Sequence, residues 1–178
     1  MSEQKDTRNV IDYYKYWTNE AIKADLDTKR NNFDILISNL QHDFNIATVI
    51  RNANAFVAKE VIIYGRTHYD KRGTVGTHNY TTFKRVRVSN ELPGIISDYD
   101  CIVGIDNLPG ATPIDDFQWE EGRKYLMCFG QEQIGLPPEI LSLCQHVLYI
   151  RQFGSVRSLN VGCASSIAMY DYCGKMVK

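Results

Sequence analysis

The sequence is poor in the features that mark the common occupants of an α/β fold. It has no Gly-x-Gly-x-x-Gly turn for a dinucleotide, no Gly-x4-Gly-Lys-Ser/Thr loop for a nucleoside triphosphate, and no Gly-x-Ser-x-Gly nucleophile elbow. Apolar runs fall well short of the ~18 residues that a membrane span needs. The opening MSEQKDTRN is polar and carries no apolar signal segment, so a cytoplasmic location is the expectation. The five cysteines, at 101, 128, 144, 163 and 173, are odd in number and form no Cys-x-x-Cys pair, which reads as buried free thiols in a reducing compartment. The histidines at 42, 68, 78 and 146 follow no ligand spacing, and no metal site is expected. There is little net charge either, −1 over 178 residues, so bulk charge does not point to nucleic acid.

Charge is nevertheless unevenly placed. Arg66, Lys71, Arg72, Lys84, Arg85 and Arg87 face only Asp70 in their segment, and an acidic run from Asp98 to Glu121 follows. Such a division suits a phosphate-binding face, and it equally suits solvated strand edges. Charge alone leaves both open.

Periodicity supplies the architecture. Residues from about Thr7 to Arg30, rich in Tyr and charge, read as a helical lead whose aromatic cluster packs on the rest of the chain. The runs at Phe33–Ser38, Glu60–Tyr64, Cys101–Ile105, Lys124–Phe129 and His146–Ile150 read as buried strands, and Phe83–Val88 as a strand with one cationic side. Gln41 to Phe44 form a loop leading to a helix over Asn45–Ala58, with Ile46, Val49, Ile50, Ala53, Phe56 and Val57 on one face. Short helices are expected at Glu91–Ser97 and after Pro137, and a loop over Asp106–Asp116. Strands alternating with helices predict a mostly parallel sheet flanked by helices, with ligands beyond the carboxyl ends of its strands.

The most informative stretch is Ile150 to Tyr172, IRQFGSVRSLNVGCASSIAMYDY. Ser158 is placed to cap a long helix rich in small residues, with Leu159, Cys163, Ile167 and Tyr170 along one side. Gly154, Ser158 and Asn160 crowd its entrance, as at a binding site. This stretch resembles the third signature of the SpoU/TrmH branch of the SPOUT RNA methyltransferases. Asn45-Ile46-Ala47 with Arg51 is similar to the first signature, and Phe129-Gly130-Gln131-Glu132 with Gly135-Leu136 to the second. Three matches in order cover roughly Phe33 to Tyr172, leaving residues 1–32 as the lead and 33–178 as the methyltransferase domain.

That resemblance implies a deep C-terminal trefoil knot, S-adenosylmethionine as cofactor, and RNA as substrate, methylated on a ribose 2′-hydroxyl. tRNA is the leading substrate, and rRNA an alternative. It implies that Ile105, Gly130, Ile150, Ser158 and Leu159 bind the cofactor, and that Arg51, Asn45, Glu132, Ser158 and Asn160 carry catalysis. A guanidinium is a poor base, because its pKa lies above ~12. Arg51 is therefore assigned to gripping phosphate and stabilising charge on the 2′-oxygen, and the proton acceptor stays open. RNA contacts are expected from Lys71, Arg72, Lys84, Arg85 and Arg157. A homodimer packed through the C-terminal helix and the Arg51 helix is implied as well. Two departures stand out: Arg151 replaces a usual proline, and Ala47 a usual glycine. Two other readings are an RNA-binding member without catalysis, and an α/β protein that binds a small molecule and no RNA.

Overall fold

A computed structural model describes residues 5–39, 45–66 and 68–177. The expected loop at Gln41 to Phe44 lies outside the described residues. The chain forms α1 (Asn19–Asp27), β1 (Phe33–Asn39), α2 (Ile46–Ala55), β2 (Val61–Gly65), β3 (Phe83–Val86) and α3 (Leu92–Ile96). It continues with β4 (Cys101–Ile105), β5 (Thr112–Pro113), β6 (Tyr125–Phe129), α4 (Pro138–Leu141), β7 (His146–Tyr149) and α5 (Val161–Met176). Seven strands make one sheet in the order β3-β2-β1-β6-β4-β7-β5, and every pairing is parallel.

Burial on both faces explains the near-continuous apolar strands. In β1, Phe33, Ile35 and Ile37 point into a cluster that holds Val49 and Ile50 of α2 and Ala168, Met169 and Tyr172 of α5. Leu36 points the other way, among Leu92, Ile95 and Ile140 of α3 and α4. The alternation is the ordinary period of a strand.

The order of the strands matters for the site. After β3 the chain crosses to β4, and β6 later fills the slot between β1 and β4. The loops following β6, β4 and β7 therefore emerge side by side, next to the start of α2. This is where an open α/β sheet holds its ligands.

Three expectations need correction. The lead is not one helix: a 3-10 turn at Asp12–Tyr14 and α1 are separated at Tyr16, whose φ of 66° no helix admits. Tyr16 N–H donates instead to Asp6 Oδ2 at 2.8 Å. Tyr14 and Trp17 do pack, with Ile22, Leu26 and Tyr80, while Tyr13 and Tyr16 are exposed. The loop over Asp106–Asp116 contains the two-residue β5, where Pro113 is tolerated because the strand is at the edge. Finally, Ser158 does not cap α5. Asn160 does, its Oδ1 accepting from Gly162 N–H at 2.9 Å and Cys163 N–H at 3.3 Å. Among the described residues no helix is long and apolar enough to cross a membrane.

Candidate active site

A cavity of about 820 Å³ opens at the carboxyl ends of β4, β6 and β7. Ile105, Gly130, Ile150, Ser158 and Leu159 all line it, so the five residues expected to hold a cofactor share one wall-to-wall space. Glu132, Arg157 and Ala164 line it too.

The loop after β6 is built by close backbone approach. Gln131 N–H donates to Gly135 O at 3.0 Å, and Gly135 N–H returns the bond to Gln131 O at 2.8 Å. A Cβ at Gly130 would stand 2.1 Å from the Gly135 carbonyl carbon, so only glycine lets the loop close on itself. Gly135 adopts φ 67°, and Asp106 Oδ2 reaches past it to accept from Leu136 N–H at 2.8 Å. The adjacent Asn107 Nδ2 donates to Arg157 O at 3.0 Å, tying the loop after β4 to the segment before α5.

Asn160 joins the rest. While Oδ1 caps α5, its Nδ2 donates to Asn45 Oδ1 at 2.8 Å and to a Glu132 carboxylate oxygen. One carboxamide thus ties the start of α2, the loop after β6 and the start of α5 at the rim of the cavity. The three segments carrying the expected catalytic residues are brought together here, with one exception. Arg51 stands on the exposed side of α2, and its side chain makes no hydrogen bond or ion pair among the described residues. Its helix is fixed from the neighbouring position, where Asn52 Nδ2 donates to Gly162 O at 2.7 Å and to Ser165 Oγ at 3.0 Å. Gly162 permits that contact, since a Cβ there would lie 2.7 Å from Thr48 Cγ2.

The cations divide. Lys71 and Arg72 lie in a 3-10 turn (Lys71–Thr74) that seats against the start of α2, where a Cβ at Gly73 would be 2.8 Å from Ala47 Cβ. The methyl that Ala47 adds to the signature is matched by the one Gly73 lacks. Arg72 is spent on Asp70, at 2.5 Å, so Lys71 is the exposed unpaired charge of that turn among the described residues. Lys84 and Arg85 are consecutive on β3 and point to opposite faces. Lys84 lines a separate cavity near the amino ends of the strands, away from the first, and Arg85 is exposed. Arg151 is paired with Asp115 and with Asp116, at 2.6 Å for the second. Its charge is neutralised beside β5 rather than turned into the cavity.

Sequence reasoning missed Asp106, Asn107, Asn52 and Gln152. The first two follow a buried strand directly, the one place where a polar pair had positional meaning. Asn52 and Gln152 carried no signal without coordinates.

A parallel sheet with a cavity at the topological switch, closed by the capped end of its last helix, defines a ligand-binding α/β protein. The model of the SpoU rRNA Methylase family matches residues 32–170, and the chain belongs to that family. The structure superposes on the TrmH/SpoU tRNA modifying enzyme of A. aeolicus with a TM-score of 0.75 at 17% identity, covering 88% of this chain and 81% of that one. The rRNA methyltransferase from Sinorhizobium meliloti, solved with AdoMet bound, gives 0.74 at 21% identity over 86% of this chain and 61% of that one. For AviRb from Streptomyces viridochromogenes, a SpoU methyltransferase solved in complex with AdoMet, the values are 0.70 and 26%, over 83% and 59%. A tRNA (guanosine(18)-2'-O)-methyltransferase of Saccharomyces cerevisiae is 31% identical over 72 residues, 40% of this chain but only 5% of the yeast protein. The chain thus spans about three fifths of the two AdoMet-bound structures and a small part of the yeast protein.

Proposed function

We propose that this chain is an S-adenosylmethionine-dependent RNA methyltransferase acting on a ribose 2′-hydroxyl, with tRNA as the substrate. The observation that carries the reading is the Asn45–Asn160–Glu132 junction standing at the rim of a cavity lined by Ile105, Gly130, Ile150 and Leu159. The cavity fits the cofactor on two counts. Its volume is in the range of ~300–1,000 Å³ typical of small-molecule sites. It also holds an unmet acceptor: Gln152 Oε1 is buried beside it with no hydrogen-bond partner, which suits a ligand that brings N–H or O–H donors.

Bound S-adenosylmethionine supplies an activated methyl group on a sulfonium. The protein's share is alignment. Gly130 and the paired backbone of Gln131 and Gly135 shape one wall, and Ile105, Ile150 and Leu159 exclude water from another. Asn160 fixes the distance between that wall and α2. Arg51, free of internal partners among the described residues, holds a phosphate of the incoming RNA and stabilises negative charge on the 2′-oxygen. Lys71 and Arg157 extend the cationic track.

The proposal includes the trefoil path of the C-terminal segment and a homodimer that brings Arg51 of one protomer to the cavity of its partner. α5 supports the second part: Cys163, Ile167 and Tyr170 form an exposed strip, and the Tyr170 ring lies 6.4 Å from that of half-buried Phe56. Sedimentation reads the assembly directly, and a fully active monomer rejects it.

Methyl transfer to bulk tRNA and to rRNA, followed by mapping of the ribose-methylated nucleotides, tests the substrate. Arg51→Ala is expected to abolish transfer. Being exposed, it should leave stability within about 0.5 kcal/mol and cofactor affinity unchanged. Retained turnover would remove Arg51 from the mechanism.

A further inference from the structure

The segment between β7 and α5 is an arch held at both feet. At one foot Arg151 is paired with Asp115 and Asp116. At the other the Arg157 carbonyl accepts from Asn107 Nδ2 at 3.0 Å. Gln152, Gly154 and Val156 line the cavity from within the arch. Between them Phe153 turns outward and is 94% exposed, making no ring contact among the described residues. Space for its neighbour is open as well, since a Cβ at Gly154 would meet nothing within 4 Å.

A single exposed apolar side chain on a surface ordinarily means nothing. Here the loop is clamped, so ordering Phe153 adds little entropy cost on binding. The ring is also one residue from two positions, Gln152 and Gly154, that line the cavity. The exposed Arg157 guanidinium, on the same arch, has no partner among the described residues and can take a phosphate. An aromatic face and a free cation on one short arch match the two sides of a nucleotide, base and backbone.

We propose that Phe153 is a specificity residue that stacks on an unpaired base of the RNA substrate, at or next to the methylated nucleotide, with Arg157 on the flanking phosphate. This rests on the reading of the cavity as the methyl-transfer site. The substrate class is narrowed accordingly: the target lies in a loop or other single-stranded region, because a base stacked in a duplex offers no free face.

Base–aromatic stacking is worth about 1–3 kcal/mol, so Phe153→Ala should weaken binding of bulk tRNA roughly 5- to 150-fold and raise KM comparably, with kcat changed less than about twofold. Phe153→Trp should restore affinity. Phe153→Leu, apolar but without a π face, should not. Filter binding to bulk tRNA and to rRNA, steady-state methyl transfer and sedimentation are measured on each full-length variant. Unchanged binding and KM in Phe153→Ala overturns the inference. Full recovery by Phe153→Leu overturns it as well, and so does a Phe153→Ala defect that appears only with loss of the dimer, which makes the ring a subunit contact. The two readings fail separately. Transfer to RNA that is indifferent to Phe153 refutes the stacking role alone. Stacking-dependent RNA binding without any methyl transfer refutes the activity and leaves the contact standing. RNA binding absent from the wild type refutes both.

Discussion

Asn160 does two jobs with two ends of one carboxamide, and substitution can separate them. Asn160→Ala removes both. Losing the cap of α5 costs about 1 kcal/mol. Losing the two Nδ2 bonds costs about 1 kcal/mol more in total, since Asn45 and Glu132 are accessible enough to regain water. The sum, about 2 kcal/mol, corresponds to a fall of about 4–8 °C in Tm for a chain of this length. Asn160→Asp behaves differently. Its carboxylate still accepts from Gly162 and Cys163 and gains about 0.3–1 kcal/mol from the positive end of the helix. It also faces the Glu132 carboxylate, a repulsion of about 1 kcal/mol in a watery setting. Stability should then stay within about 1 kcal/mol of wild type, while the bridge to Asn45 and Glu132 is gone. If that bridge sets the distance between α2 and the cavity, a displacement of about 1 Å lowers kcat/KM on the order of 100-fold. Adding Glu132→Gln to Asn160→Asp removes the repulsion and returns an N–H to the gap, so part of the lost rate should come back. Thermal unfolding and transfer of labelled methyl to bulk tRNA read the two quantities independently. Full activity in Asn160→Asp would show that the Nδ2 bonds are incidental. An unchanged Tm in Asn160→Ala would show that the cap is not what holds α5.

Two further outcomes follow from the packing. Gly130→Ala places a Cβ 2.1 Å from the Gly135 carbonyl carbon, so the loop must open. We expect a loss of about 1–3 kcal/mol and, more tellingly, no thermal shift on adding S-adenosylmethionine; a normal shift would dissociate this loop from the cofactor. At the far end of the sheet Asp34 is only 2% exposed, accepting from Glu60 N–H and from Tyr99 O–H, each at 2.7 Å. Burial raises its pKa, and burial and Asp34 raise that of Glu60. A raised folded-state pKa means that the stabilising contribution is full below the ordinary carboxylate pKa and is lost as pH rises through the folded value. Asp34→Asn should therefore gain stability relative to wild type as pH goes from about 4 towards 7, measured by denaturant unfolding; parallel profiles would contradict this.

What was legible in the sequence was whatever depended on burial. β1, β2, β4 and β6 were readable because they are covered on both faces and run largely apolar, whereas β7, with His146 exposed, was legible from Val147 and Leu148 alone. β5 was not, because two residues pairing at an edge leave no pattern. The helical reading of the lead holds for Asp12–Tyr14 and α1, while the extended backbone at Ile11 and Thr18 and the left-handed Tyr16 between and around them leave no mark in the composition. The cap of α5 shows the limit most clearly. Ser158 and Asn160 are both good capping types two residues apart in the run Ser-Leu-Asn-Val. A serine hydroxyl has one hydrogen to give, whereas a carboxamide can accept at one end and donate twice at the other. The structure needs the second, because two acceptors converge there from segments 115 and 28 residues away.

That convergence is a consequence of strand order. β1, β4, β6 and β7 are formed in that sequence along the chain, yet β6 lies between β1 and β4. Had β6 been added at an edge, the loop after it would sit at the side of the sheet, and Glu132 would not reach a residue that also touches the start of α2. Placed in the middle, it neighbours both the helix bearing Arg51 and the cavity floor at Ile105. The substitution of Arg151 for proline fits the same logic. A proline would fix the backbone angle at the foot of the arch locally. Arg151 fixes the foot instead by reaching Asp115 and Asp116, residues that follow β5, the strand next to β7. The arch is then anchored through side chains on the sheet rather than by its own backbone. Breaking the anchor with Arg151→Ala should loosen the arch without touching the cavity wall built by Gly130. Because Gln152, Gly154 and Val156 of the arch line the cavity, it should weaken the binding of cofactor as well as of RNA, read by the thermal shift with S-adenosylmethionine and by filter binding. Wild-type values of both would show that the anchor does not hold the arch.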